Sequence, residues 1–196
     1  MTLLKERAVA ENPEEVSPLK AGWVIPDGVL RTLEGKEVHL KEEVRRKPTV
    51  LIFYRGGWCP YCSTQMGQLA KIQPKLAALG YQLLAVSPDK PEKLKESADK
   101  QRLNYILLSD SSMQVCLDFG LAYRVAGAAY DTYVNKYHVD LEGASGENHH
   151  LLPVPAAFVL DKRGMIHYAY SNPDYKVRVN PEELLRAAER AIGMKP

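Results

Sequence analysis

Two cysteines that directly follow a run of β-forming residues constrain this chain more than any other feature. Residues 48–62 read PTVLIFYRGGWCPYC, and Thr49–Tyr54 predicts a strand buried on both faces of a sheet. A helical pattern begins at Pro60, because proline suits the first turn of a helix. Unpaired backbone N–H groups and the helix dipole favour a thiolate at that end. Cys59 and Cys62 are therefore predicted to form a redox-active pair.

The residues alone leave two other interpretations of this pair open. Cys-x-x-Cys is half of a structural zinc site, but only Cys116 and the distant His149-His150 pair are left to complete it. Two inert core cysteines are the other interpretation. We favour a redox pair because the motif follows a buried strand, and we expect neither a metal nor a cofactor. Cys116 is expected to be an inert core thiol, and His149-His150 a loop pair near the site.

Composition and charge exclude several classes of partner. The 196 residues carry a formal net charge of +2 without a basic stripe, so we expect no nucleic-acid partner. No apolar run approaches the ~18 residues that span a bilayer, and Met1–Ser17 lacks the apolar segment of a signal peptide. We therefore expect no membrane partner and a cytoplasmic location. In a reducing compartment, three cysteines favour a catalytic pair over a disulfide scaffold.

Strands alternate with helices in the first half of the sequence, and a hairpin with a helix closes it. This order predicts an α/β fold with a central mixed sheet and helices on both faces. We expect an N-terminal arm over residues 1–18, with a short helix at Thr2–Ala10, and one domain over residues 19–196. The predicted elements are a hairpin (Val29–Leu33 and Glu37–Leu40), strands (Thr49–Tyr54, Tyr81–Val86 and Tyr105–Leu108), a closing hairpin (Ala156–Asp161 and Met165–Tyr170) and a last helix (Glu182–Ile192).

An insertion at about residues 122–152 carries a stripe of tyrosines. Tyr130, Tyr133 and Tyr137 fall at i, i+3 and i+7, which predicts one face of a helix. We expect this face to be buried against the domain core. An oligomer contact and a lid beside the thiols are the alternatives.

Several short segments resemble the peroxiredoxin superfamily, which includes alkyl hydroperoxide reductase and thiol-specific antioxidant proteins. They are Gly35-Lys36, AVSPD at residues 85–89, LLSD at 107–110, Phe119-Gly120, and FVLD at 158–161 with Gly164. The resemblance covers roughly Leu19–Ile192. It implies a thioredoxin-like fold with an N-terminal β-hairpin.

The motif around the thiols departs from that family. Peroxiredoxins carry Pro-x-x-x-Thr/Ser-x-x-Cys, and placing the peroxide-attacking cysteine on Cys62 puts Arg55 on the proline and Cys59 on the Thr/Ser position. The family's arginine before the late strand is replaced by Val154-Pro155. This dipeptide resembles the cis-proline that faces Cys-x-x-Cys in thioredoxins and glutaredoxins. Cys-Pro-Tyr-Cys is itself the usual glutaredoxin motif.

The resemblance implies a thiol-dependent peroxidase that acts on hydrogen peroxide or alkyl hydroperoxides. Cys62 would attack, Cys59 would resolve, and a thioredoxin- or glutaredoxin-type reductant would recycle the disulfide. A homodimer is implied by analogy with other members. A thiol-disulfide oxidoreductase with the two roles reversed is the alternative, and a redox sensor without turnover is a third function.

Four further residues are candidates to support the pair. A peroxidase needs positive charge near the developing oxyanion, and Arg55 is the first candidate, ahead of Arg178. The alternatives are a solvated or ion-paired loop residue for Arg55 and a surface charge for Arg178. Trp58 is expected to pack beside the motif, and Pro155 to face it. Gly56-Gly57 is expected to allow a turn with positive φ.

Overall fold

A computed structural model describes residues 8–193 of the chain. In this part of the chain the strands are β1 (Val29–Arg31), β2 (Glu37–His39), β3 (Thr49–Phe53), β4 (Gln82–Ser87), β5 (Ile106–Ser109), β6 (Ala122–Arg124), β7 (Leu151–Pro153), β8 (Ala156–Leu160) and β9 (Ile166–Ser171). The α-helices are α1 (Leu40–Arg46), α2 (Pro60–Ala78), α3 (Pro91–Gln101), α4 (Gln114–Asp118), α5 (Gly127–Asp131), α6 (Leu141–Ser145) and α7 (Pro181–Ala191). A 3₁₀ turn covers Pro13–Glu15, and a π-helical turn covers Thr132–Lys136.

The main sheet is mixed, as predicted. Its strand order is β2-β1-β5-β4-β3-β8-β9, and β6 pairs with β7 in a separate two-stranded sheet. Strand β3 is parallel to β4 and antiparallel to β8, so Leu51 lies between Leu84 and Phe158. Every residue of β3 is buried, which explains its continuous apolar sequence. The N-terminal and closing hairpins are confirmed as the β1–β2 and β8–β9 pairs.

The core has one cluster on each face of this sheet. Successive strand residues point to opposite faces, so Phe53 joins one cluster and Ile52 the other. On the first face, Phe53 packs against Phe119 with ring centroids 4.7 Å apart. On the second face, α2 and α7 lie side by side over the sheet. Cys59 and Cys62 belong to this second cluster, which holds the start of α2 against β3.

Two helix predictions differ from the structure. Most of the expected helix Thr2–Ala10 lies outside the described residues, and its described part is not helical, because Ala10 pairs with Tyr123 as a parallel bridge. The expected buried tyrosine stripe is wrong, because no residue of α5 or of the π-helical turn is buried. These two short turns lie over the small cluster of Tyr123 and its neighbours instead of the main sheet.

The expected cis-proline at Pro155 is also wrong. The peptide bonds of residues 8–193 are all trans, including Val154-Pro155. Pro155 is buried in the short link between β7 and β8, and the backbone of this link is hydrogen-bonded to other segments. The N–H of Val154 donates to the carbonyl of Leu121 at 2.9 Å, and the carbonyl of Pro155 accepts from Asn172 at 3.4 Å. The trans isomer is the one that most X–Pro bonds in folded proteins adopt.

None of the helices in residues 8–193 combines the length and the apolar character that crossing a membrane requires.

Candidate active site

The loop between β3 and α2 places both thiols at the start of the helix. Gly56 has φ of 142°, which favours glycine, and the N–H of Gly57 donates to the Asp89 carboxylate at 2.7 Å. Cys59 is the N-cap residue of α2 and Pro60 opens its first turn. Cys62 follows within that turn. The predicted strand-to-helix geometry of the motif is therefore present.

The two sulfurs form a coupled pair with different proton affinities. Both cysteines are free thiols and each is 1% exposed. A hydrogen bond from the Cys62 thiol, the Cys62 backbone N–H, and the charges of Arg55 and Arg178 lower the pKa of Cys59 to about 6, although burial opposes them. Burial and the hydrogen bond to Cys59 raise the pKa of Cys62. At neutral pH the pair therefore carries one negative charge and one proton, and the proton rests on Cys62.

Arg178 contacts the Cys62 sulfur. Its Nη2 atom lies 3.3 Å from Sγ of Cys62, and its Nη1 donates to Oε1 of Gln65 at 2.7 Å. Its Nε donates to the carbonyl of Tyr175 at 2.7 Å. The alternative of a surface charge for Arg178 is wrong, because these three contacts hold the guanidinium between the start of α2 and the carbonyl of Tyr175. Gln65, which is 4% exposed, was not a candidate from the sequence.

Arg55 lies beside the other sulfur. Its side chain is buried, and its Nη1 lies 4.0 Å from Sγ of Cys59. Its Nη2 donates to the hydroxyl of Tyr133. Because Arg55 is buried and takes part in none of the ion pairs within residues 8–193, it is not a solvated or ion-paired loop residue. Each sulfur therefore has its own guanidinium.

Aromatic rings complete the surroundings of Arg55. Trp58 packs beside the motif as expected, with its ring edge-on to Tyr133 at 5.9 Å between centroids. Tyr175, in the segment after β9, lies under the guanidinium, with its ring centroid 3.9 Å from Cζ. The sequence predicted no role for Tyr175 in the site, and it predicted Tyr133 only as a member of the tyrosine stripe. Of the interpretations of that stripe, a lid beside the thiols agrees with the contacts of Tyr133 with Arg55 and Trp58.

Cys116 lies in the core, whereas His149 and His150 line a small cavity together with Trp58 of the thiol loop. Cys116 is fully buried in α4, and burial raises the pKa of its thiol. Nε2 of His149 lies 2.8 Å from the carbonyl of Ser111, and His150 stacks on Tyr130 at 4.3 Å between ring centroids. Within the described part of the chain, no three His, Cys, Asp or Glu side chains come together as metal ligands do.

A groove on the surface runs beside Arg178. It has a volume of about 780 Å³ and runs between one face of α2 and the segment before α7. The residues that line it nearest the thiols are Tyr61, Gln65 and Arg178. Arg178 is therefore reached from this groove, whereas the two sulfurs, each in a side chain that is 1% exposed, lie behind its wall.

The lowered pKa of Cys59 gives a pH prediction. Titration of the thiolate absorbance near 240 nm in the reduced protein should show one thiolate forming with a midpoint near 6, where a free cysteine titrates near ~8.5. Because the folded protein favours the thiolate of Cys59, this thiolate should be present above about pH 6 and become protonated below it. In Cys62→Ala the midpoint should rise, because the main hydrogen bond to Cys59 is removed. A midpoint near that of a free thiol in the unaltered protein would contradict the assignment.

Comparisons with known proteins agree with this architecture. The sequence profile of the AhpC/TSA family matches residues 21–169. Peroxiredoxin Bcp of Escherichia coli K12 is 37% identical over 106 residues, which cover 54% of this chain and 67% of the relative.

Solved structures share the fold. Peroxidoxin BcpB from Mycobacterium tuberculosis superposes with a TM-score of 0.66 at 22% identity, over 89% of this chain and 98% of that structure. A peroxiredoxin-like protein from Aquifex aeolicus gives a TM-score of 0.67 at 19% identity, over 95% of this chain and 99% of its own. The fold is therefore the thioredoxin-like fold of peroxiredoxins, and the chain belongs to the AhpC/TSA family.

Proposed function

We propose that this protein is a thiol-dependent peroxidase that reduces hydrogen peroxide or alkyl hydroperoxides with the Cys59–Cys62 pair. One observation carries the proposal. The guanidinium of Arg178 donates to the Cys62 sulfur at 3.3 Å, at the position where the family motif has its attacking cysteine. Membership of the AhpC/TSA family and the name of its Escherichia coli relative, a peroxiredoxin, support the same reaction.

The single proton held by the two sulfurs would serve two purposes. Its transfer creates the nucleophile, and it later protonates the leaving group. Transfer of that proton from Cys62 to Cys59 leaves the Cys62 thiolate beside Arg178. The thiolate attacks the distal peroxide oxygen, the O–O bond breaks, and Cys62 becomes a sulfenic acid. The leaving alkoxide takes the proton from Cys59 and departs as an alcohol, or as water from hydrogen peroxide. The Cys59 thiolate then attacks the Cys62 sulfur, which forms the disulfide and releases hydroxide.

In the first step, Arg178 would stabilise two negative charges, that of the Cys62 thiolate and that of the peroxide oxygen that leaves. The N–H groups of Arg178 favour the Cys62 thiolate, and the side chain also lines the groove. Donors that are fixed before the reaction stabilise developing negative charge most effectively. Gln65 and the carbonyl of Tyr175 would hold the guanidinium in this orientation.

An external dithiol would return the pair to the reduced state. We propose a thioredoxin- or glutaredoxin-type reductant in the cytoplasm, where a Cys-x-x-Cys pair is kept reduced. We further propose that residues 122–152 form an insertion in the domain, because this segment brings Tyr133 to Arg55. The division at residue 18 and a homodimer remain predictions.

The proposal is tested by coupled peroxide turnover. The purified protein, supplied with thioredoxin, thioredoxin reductase and NADPH, should consume hydrogen peroxide and cumene hydroperoxide, and a parallel assay should use glutaredoxin and glutathione. Catalytic NADPH oxidation that requires both the protein and a peroxide is the expected result. Reversible oxidation of the pair without turnover under either system would instead identify a redox sensor.

Disulfide exchange is a second candidate function, favoured by one observation. The pKa of Cys59 is lowered to about 6, so the N-terminal thiol of the motif is a thiolate at neutral pH. Such a thiolate attacks disulfides, and Cys62 would then release the mixed disulfide. Reduction of a glutathione-mixed disulfide that depends on Cys59, without peroxide turnover, would favour this function over the first.

A further inference from the structure

Within residues 8–193, the guanidinium of Arg55 is a buried cation without a carboxylate at ion-pair distance. Its side chain is 1% exposed, and its Nε atom has no hydrogen-bond partner within the described chain. A buried charge is strongly unfavourable unless an opposite charge and hydrogen-bond partners compensate it. The Cys59 sulfur, 4.0 Å from Nη1, is the group that can supply the opposite charge.

Aromatic residues from separate parts of the chain enclose this guanidinium. Trp58 lies in the loop after β3, Tyr133 in the π-helical turn and Tyr175 after β9, and their ring centroids lie 5.2, 5.1 and 3.9 Å from Cζ of Arg55. Ring faces attract a cation, but this attraction does not replace the opposite charge that a buried guanidinium requires. The Tyr133 hydroxyl also accepts a hydrogen bond from Nη2. The enclosure keeps Arg55 beside Cys59 and away from water.

We propose that Tyr133 is a positioning residue that holds Arg55 against Cys59 and thereby raises the reduction potential of the Cys59–Cys62 couple. This inference rests on the assignment of that pair as the redox centre. In the reduced protein the Cys59 thiolate compensates Arg55. In the disulfide the same sulfur is neutral, and Arg55 remains a buried cation without an anion. The reduced form is therefore stabilised relative to the disulfide, which makes the couple a stronger oxidant.

A higher reduction potential would favour the step in which an external dithiol reduces the Cys59–Cys62 disulfide. Two thiols of the reductant supply two electrons and become a disulfide, and the Cys59–Cys62 bond breaks. Cys59 becomes a thiolate, Cys62 takes one proton, and the second proton is released. Because Arg55 favours the thiolate product, the external reductant meets a disulfide that is readily reduced.

The contribution of Tyr133 should depend on pH. The charged and titratable groups acting on Cys59 include Cys62, Arg55 and Arg178, and Tyr123 and Tyr133 hydrogen-bond to Arg55. Arg55 favours only the thiolate form of Cys59, whose pKa is lowered to about 6. The effect is therefore fully present well above this pKa and is lost as the pH falls through it.

Equilibration with glutathione buffers of known composition tests the inference, with free thiols counted by alkylation and mass spectrometry. Tyr133→Phe keeps the ring and removes the hydroxyl. Its equilibrium constant for reduction of the disulfide should fall about tenfold at about pH 7.5, which corresponds to about 30 mV. At about pH 5 the difference should shrink to less than about threefold, because both proteins then carry a protonated Cys59.

Two further variants give the controls. Tyr137→Phe alters a tyrosine that packs against Tyr133 at 6.0 Å but is 51% exposed, and it should leave the potential unchanged. Arg55→Met should shift the potential in the same direction as Tyr133→Phe and by more, because it removes the cation that Tyr133 positions. An unchanged potential in Arg55→Met would overturn the inference even if Tyr133→Phe failed to fold. A Tyr133→Phe potential within about twofold of the unaltered protein, or an equal shift at both pH values, would overturn the inference. The measurement uses no peroxide, so absent peroxide turnover would contradict the proposed function alone.

Discussion

Replacing Cys62 by serine is expected to abolish peroxide consumption. The serine hydroxyl stays protonated at neutral pH, so Arg178 has no thiolate to favour and no sulfenic acid forms. Loss of the nucleophile removes several orders of magnitude of activity in enzymes whose catalytic groups act as a unit. Stopped-flow measurement of peroxide loss under single-turnover conditions checks this directly, without any recycling system.

Cys59→Ser is the matched variant. It keeps the Cys62 thiol and Arg178, so one equivalent of peroxide should still be consumed, and a sulfenic acid should be trapped on Cys62 by dimedone. Steady-state turnover with a thioredoxin-type reductant should be strongly impaired, because no resolving thiol remains. If the dimedone adduct instead appears on Cys59 in the Cys62→Ser protein, and peroxide loss persists there, the two roles are reversed.

Arg178→Met is expected to lower kcat/KM for peroxide by roughly 10²- to 10³-fold, which is the usual loss when one donor to a developing oxyanion is removed. Methionine has similar length but donates no hydrogen bond, so the Cys62 thiolate loses its contact at 3.3 Å. The pKa of Cys62, already raised by burial, should rise further, and the pH at which peroxide loss becomes fast should rise with it.

Two further variants serve as controls for Arg178→Met. Arg178→Lys distinguishes the charge of the side chain from its hydrogen-bond geometry, and Arg186→Met removes an arginine that lies outside the site. Lysine keeps the charge but cannot make the forked contact with Gln65 and Cys62, so it should recover only part of the rate. Arg186 is exposed on α7, and its replacement should have no effect. Equal rates for Arg178→Met and the unaltered protein would exclude Arg178 from the peroxide step.

The parts of the fold that local patterns determine were predictable from the sequence. The continuous apolar run of β3, the hairpins with glycine turns and the proline at the start of α2 and α7 each act within a few residues. The thiol pair at the helix start followed from the same local rules. Prediction was weaker at the tyrosine stripe, because its spacing fits a buried helical face and an exposed short turn equally well.

The surroundings of the thiols depend on contacts between distant residues. Arg178 ranks below Arg55 in the sequence prediction although it touches Cys62, because Arg178 and Cys62 are 116 positions apart and no local pattern links them. Tyr133 reaches Arg55 across 78 residues in the same way. The cis form expected at Pro155 came from resemblance alone, and the local backbone adopts the commoner isomer.

In the proposed mechanism, the position of both cysteines at one helix end determines how well the protein resists inactivation by excess peroxide. A sulfenic acid on Cys62 can be captured by Cys59 or be oxidised irreversibly by a second peroxide. The first route is unimolecular and joins residues only three positions apart, so it needs no strand or helix of the sheet to move. The second route is bimolecular and must reach a sulfur that is 1% exposed. Ring closure should therefore outpace inactivation until peroxide approaches the effective concentration of the neighbouring thiol.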